Sequence, residues 1–121
     1  MQQSIILVCI TNQVDGEKLI KEGYCMADKG NLKLKILNIQ NSKQSKNIKD
    51  TRLEYLFGVC KFLNVDMQVY WGNNFSDIVI DYINRNKIKQ LLLGRIPKSE
   101  QDNFISKIQE TFPSIQVFIQ N

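Results

Sequence analysis

Five short apolar runs alternate along this chain with four longer segments whose apolar residues recur at helical spacing. Residues 4–10 (Ser, Ile, Ile, Leu, Val, Cys, Ile) are β-branched and apolar almost throughout, the mark of a strand buried on both faces. After the polar turn Thr11, Asn12 and Gln13, the residues Leu19, Ile20, Gly23, Met26 and Ala27 share one face of a helix predicted over 14–29. Gly23 on that face invites close approach to the sheet, and Gly30-Asn31 ends the helix. Residues 32–39 form a second strand, with Leu32, Leu34 and Ile36 alternating against Lys33 and Lys35 before a continuous apolar end. A polar stretch over 40–49, with Lys43, Lys46 and Lys49 and no acid, is expected to be a loop. The lysines from Lys29 to Lys49 are the type that an acidic partner or anionic lipid would meet, and a solvated loop is their plainer use.

A second helix is predicted from Asp50, with Leu53, Leu56, Phe57, Cys60 and Leu63 inward. Asp66–Trp71 alternates apolar and polar residues, which places it at or near a sheet edge, with Trp71 taken as core rather than as an interface anchor. Asn74 caps a third helix, Asp77 stands three residues on, and Phe75, Ile78, Val79, Tyr82 and Ile83 make its buried face. The stretch 90–99 organises the rest. Leu91, Leu92 and Leu93 form a doubly buried strand, Gly94 permits a tight turn, Pro97 stops the strand, and Ser99 caps a fourth helix with Asp102 in its first turn. Phe104, Ile105 and Ile108 face inward, Pro113 ends the helix, and 115–119 is the last strand.

Strict alternation of strand and helix predicts a three-layer α/β sandwich: one parallel five-stranded sheet with helices on both faces. Right-handed crossovers then favour the doubly wound order 3-2-1-4-5. In that order strands 1 and 4 are neighbours, so Thr11-Asn12 and the turn 94–99 flank one crevice. The length of 121 residues fits one domain, 1–121.

Composition narrows the chemistry. Histidine is absent, which removes Ser-His-Asp and Cys-His nucleophile systems and most zinc sites. Cys9, Cys25 and Cys60 are widely spaced and odd in number, with no Cys-x-x-Cys, so they are expected to be buried free thiols in a reducing cytoplasm, with no metal site. No apolar run is long enough for a bilayer span, and the first residues lack the pattern of a signal peptide. The net charge of +4 mildly favours an anionic ligand. Arg95, Lys98 and Ser99 are the candidate phosphate ligands at a helix N-terminus, and Thr11 and Asn12 the candidate base contacts. A solvated turn with an ordinary cap is the plainer use of the same residues. No nucleophile–base pair stands at suggestive spacing, so no catalysis is expected.

The run Ile6-Leu7-Val8-Cys9-Ile10, a short polar turn and Glu17-Lys18-Leu19-Ile20-Lys21 resemble the start of a universal stress protein domain. Gln90-Leu91-Leu92-Leu93-Gly94-Arg95, with Ser99 soon after, resembles the fourth strand and turn of that domain, most of all in the version carried by potassium-responsive sensor histidine kinases (KdpD-like). The resemblance implies an adenine nucleotide alpha hydrolase-like fold and a non-catalytic regulatory role in, or related to, a two-component sensor kinase. The alternative it leaves open is a free-standing stress protein that binds ATP or another adenine nucleotide through a degenerate loop.

Nucleotide-binding members of the family have an aspartate after strand 1, a valine after strand 2, and a Gly-x-x-Gly-x9-Gly-Ser/Thr loop after strand 4. Here Thr11 stands in place of the aspartate and Ile39 in place of the valine. Gly94 matches the first loop glycine, Pro97 replaces the second, and Lys107-Ile108 occupies the final pair. Proline offers no N–H to a phosphate, so the resemblance implies at most a weakly bound adenine nucleotide contacted by Thr11, Asn12, Ile39, Gly94, Arg95, Lys98 and Ser99. Some kinase-borne relatives bind cyclic di-AMP through a Ser-x-Ser turn and a distal Phe-Thr-Ala-x-Tyr segment, and neither Thr11-Asn12-Gln13 nor Leu37-Asn38-Ile39-Gln40 reproduces them. The resemblance further implies a homodimer through the last strand, or contact with other domains of a kinase. The chain stops just after that strand, as an excised domain would.

Overall fold

The computed structural model describes residues 4–11, 15–40, 51–94 and 98–120, with the side chains of 51 and 98–101 outside the description. The elements are β1 (Ile5–Ile10), α1 (Gly16–Gly30), β2 (Lys33–Gln40), α2 (Thr51–Leu63), β3 (Asp66–Trp71), α3 (Phe75–Arg85), β4 (Ile88–Leu93), α4 (Lys98–Thr111) and β5 (Gln116–Ile119). The sheet order is β3-β2-β1-β4-β5, with every neighbouring pair parallel. This is the predicted order.

The strand patterns follow from position in the sheet. β1 and the far ends of β2 and β4 are covered on both faces, so consecutive residues are apolar. Ile6, Val8, Ile10, Leu34, Ile36 and Leu92 pack beneath α1 and α2, on Leu19, Ile20, Ala27, Leu56 and Cys60. Leu7, Cys9, Leu37, Ile39, Leu91 and Leu93 pack on the other face, against Val79, Tyr82, Ile83, Phe104 and Ile108 of α3 and α4. β3 and β5 form the two edges; β5 alternates throughout and β3 alternates up to Val69, after which Tyr70 packs on the core and Trp71 is exposed.

Local signals act as expected at two helix ends. Asn31 takes the left-handed conformation at the end of α1, with φ 54°, and its N–H reaches back to the last turn. The side chain of Asn74 accepts a hydrogen bond from the Asp77 backbone N–H at 3.3 Å. Among the described residues no helix is long and apolar enough to cross a membrane.

Several expectations are corrected. Cys25 is exposed, because it falls on the outer side of α1, whereas Cys9 and Cys60 are buried. Phe57 is 44% exposed and Trp71 is 41% exposed, so neither is core. The apolar residues of α2 run round the helix, and only Leu56 and Cys60 are fully covered. Gln40, assigned to the loop, is the last residue of β2 and is buried, while 41–50 lie outside the described residues.

Candidate functional site

β1 and β4 are hydrogen-bonded neighbours, with Cys9 opposite Leu93. Beyond that pair the chains part. β1 leads to α1 on one face of the sheet, and β4 leads to α4 on the other. This is the switch point of a doubly wound sheet, the place at the carboxyl ends of the strands where such folds have their ligand crevice. α1 and α4 both begin at this end, where the N–H groups of a first helical turn have no intrahelical partner.

The predicted site residues divide into three groups. Thr11 and Gly94 come together at the mouth, immediately after β1 and β4, and Thr11 is exposed. Lys98 and Ser99 occupy the first turn of α4, with their side chains outside the described residues. α4 starts at Lys98, so Ser99 lies inside that turn and is not the cap. Asn12 and Arg95 lie outside the described residues. The side chain of Ile39 does not join the group: it is buried among the core residues on the α3–α4 face.

Gly94 is required for space and not for an unusual backbone. No described glycine has positive φ. A Cβ on Gly94 would come within 2.8 Å of Leu19 Cδ1, so α1 closes directly on the exit of β4.

Two further features lie at the carboxyl ends of the strands, and the contacts they make were not read from the sequence. Gln120, just past β5, donates its backbone N–H to the Leu93 carbonyl at 2.9 Å. Its side-chain amide donates to the Lys18 carbonyl at 3.5 Å and to the Glu22 carboxylate. The end of β5 is thereby tied to α1 across the end of β4. At the end of β2, the buried Gln40 amide donates to the Asn38 side-chain oxygen, and the Asn38 amide lies 3.7 Å from Met67 Sδ. Buried amides of this kind are held by hydrogen bonds. The polar letters at 38 and 40 were visible in the sequence. The contact of Gln120 with α1 spans too much chain to have left a local signal.

The shifted acidities carry no acid–base machinery. Burial raises the Cys9 thiol far above its ordinary range and the Cys60 thiol to about 11. Burial likewise raises Tyr82. Glu17 is lowered by the hydrogen bonds it accepts from Lys21 and Tyr55, and both donors are raised in turn. Each of these groups moves away from neutrality, the reverse of what a catalytic acid or base at pH 7 needs. Among the described residues no group of three or more His, Cys, Asp or Glu side chains converges in a metal-binding arrangement.

No family model matches the sequence, and no curated protein matches it. Solved structures do resemble it in fold. A universal stress protein in complex with cAMP superposes with a TM-score of 0.66 at 13% identity, over 100% of this chain and 98% of that one. A universal stress protein from Archaeoglobus fulgidus gives 0.61 at 13% identity, over 96% of this chain and 92% of that one. The universal stress protein from Archaeoglobus fulgidus in complex with dAMP gives 0.55 at 8% identity, over 98% of this chain and 97% of that one. The fold is therefore the adenine nucleotide alpha hydrolase-like α/β fold of universal stress proteins.

Proposed function

We propose that this chain is a non-catalytic regulatory domain of the universal stress protein type, whose crevice takes a phosphate-bearing adenine nucleotide weakly. The observation that carries this reading is the parting of β1 and β4 beside the N-terminus of α4, with Thr11 and Gly94 at the mouth. The free N–H groups and positive dipole end of α4 favour an anion there, and Arg95 and Lys98 add charge. Two structures of the same fold hold cAMP and dAMP. Pro97 removes one N–H from the turn, which accounts for weak binding in place of tight retention of ATP. The absence of histidine and the direction of the shifted acidities support a role without turnover.

The wider setting extends the same proposal. β5 is an open edge on which Gln116 and Phe118 are exposed, and a second copy pairing there would make a homodimer. A place in the cytoplasmic part of a potassium-responsive sensor kinase rests on the resemblance of 6–10 and 90–95 alone. It is tested by whether the native reading frame continues into membrane helices and a kinase core.

Calorimetry at low salt with ATP, AMP, cAMP and cyclic di-AMP tests the ligand. Weak heat with an adenine nucleotide, reduced by Arg95→Ala with Lys98→Ala, is the expected result. No heat with any of them leaves a protein-interaction domain. ATP turnover well above a boiled control, abolished by a change at Lys98 or Ser99, overturns the non-catalytic reading.

A further inference from the structure

At the opposite end of the sheet a groove of about 700 Å³ opens between the starts of β1 and β2 and the end of α3. Four cations line it, Lys33, Lys35, Arg85 and Lys87, together with the amides of Asn84 and Asn86 and the apolar side chain of Ile5. No acid lines it. Two of the cations are already engaged: Lys35 with Asp66 at 3.4 Å and Arg85 with Asp81 at 2.9 Å. Lys33 and Lys87 have no carboxylate partner among the described residues, and both are exposed.

The backbone sets these two lysines on either side of one residue. Lys33 is paired with Ile5 across β2, and the Ile5 N–H is held by the Lys87 carbonyl at 3.1 Å. Neighbouring strands lie about 4.8 Å apart, so the two backbones stand roughly 10 Å apart across β1. Two lysine side chains starting from that separation reach a common ligand lying over Ile5.

The C-terminus of α3 ends in this groove, and its carbonyls would repel an anion if left open. Two of the last four, those of Tyr82 and Ile83, are occupied, and the Asp81 carbonyl just before them also takes a side-chain bond. Arg85 Nε donates to the Asp81 carbonyl at 3.4 Å, Asn86 Nδ2 to the Tyr82 carbonyl at 2.9 Å, and the Asn86 backbone N–H to the Ile83 carbonyl at 3.2 Å. These bonds take up carbonyls near the end of α3, and the lining cations supply the groove's positive charge.

From this arrangement we propose that the groove is a second anion site, taking a compact small molecule with more than one phosphate group. Its volume falls within the range of small-molecule sites. Two unbalanced ammonium groups on opposite sides match two linked phosphates better than one, since lysine binds phosphate as a point charge. The site is separate from the crevice: β1 spans its six residues between them, about 20 Å at 3.3 Å per residue.

Titration with sodium tripolyphosphate at low ionic strength, followed by backbone amide NMR and calorimetry, tests the proposal. Binding is expected to shift the amides of Ile5, Lys33 and Asn86, and to weaken at least tenfold in Lys33→Gln with Lys87→Gln. Both positions are exposed, and a matching thermal melt confirms that the double variant is folded. Arg95→Ala with Lys98→Ala is expected to leave tripolyphosphate binding at the groove unchanged, which separates this site from the nucleotide crevice. The proposal is overturned by absence of binding, by equal affinity in the folded double lysine variant, or by shifts confined to residues around Thr11 and Gly94.

Discussion

Gly23 of α1 lies directly on Val8 of β1, and no side chain fits between them. A Cβ built on Gly23 would overlap Val8 Cγ2 and come within 3.2 Å of Leu34 Cδ1. Both neighbours are buried core residues, so neither has room to retreat. Gly23→Ala should therefore destabilise the domain by about 1–3 kcal/mol, as overpacking does. Gly58, in the exposed interior of α2, has nothing within 4 Å of its ideal Cβ. Gly58→Ala should have the opposite sign, stabilising by about 0.5–1 kcal/mol through helix propensity. Urea denaturation of the two variants, side by side, checks both signs.

The cap of α3 should be worth about 1 kcal/mol. Asn74→Ala removes the acceptor for the Asp77 N–H, and the urea midpoint should fall accordingly. Asn74→Ser, which restores a capping oxygen, should recover most of the loss. Equal midpoints for all three proteins would show that the cap contributes nothing.

The three cysteines should react in two classes. Cys25 is exposed, whereas Cys9 and Cys60 are buried with thiols pushed upward by burial. A thiol reagent at pH 8 should modify Cys25 promptly and the other two only after denaturant is added, because the thiolate is the reactive form. Mass spectrometry of the labelled peptides identifies them. Prompt labelling of Cys9 in the folded protein would contradict its burial in the sheet.

Glu17 should support stability on the alkaline side of its own titration. Its carboxylate accepts hydrogen bonds from Lys21, at 2.9 Å, and from the Tyr55 hydroxyl, at 2.8 Å, which lower its pKa from the ordinary 4.5. A folded pKa below the unfolded one gives stability that is fully present above 4.5 and is lost as pH falls through the lowered value. Glu17→Gln should therefore be less stable than the parent at pH 7, with the gap closing at acid pH. Urea midpoints at pH 7, 4 and 3 give the comparison. All three groups are exposed, so the effect is small and should shrink in high salt.

The end of β4 and its place beside β1 were legible because they depend on chain order. The run Leu91-Leu92-Leu93 followed by Gly94 marked the end of β4, and strict alternation put that end beside β1. Ile39 was assigned to the site by the resemblance, in place of the family's valine after strand 2, and its side chain lies on the α3–α4 face. A strand's period fixes which residues share a face, but which face meets the ligand depends on where the following helices lie. Phe57 and Cys25 went astray for a related reason. Helical spacing permits several faces, and only packing against the sheet selects one.

The sequence by itself determined the element order, the parallel sheet and its 3-2-1-4-5 arrangement, because hydrophobic periodicity and right-handed crossovers are local or nearly local rules. It also determined the chemistry that is absent, through the lack of histidine. Only the tertiary structure decided what distant segments do to one another. It set Gln120 against Lys18 and Glu22, gave Gly94 its role as clearance for Leu19, and brought Lys33 and Lys87 to either side of Ile5. These relationships arise when the sheet closes its register and the helices dock on it. A close-packed interior then fixes neighbours that no spacing along the chain encodes.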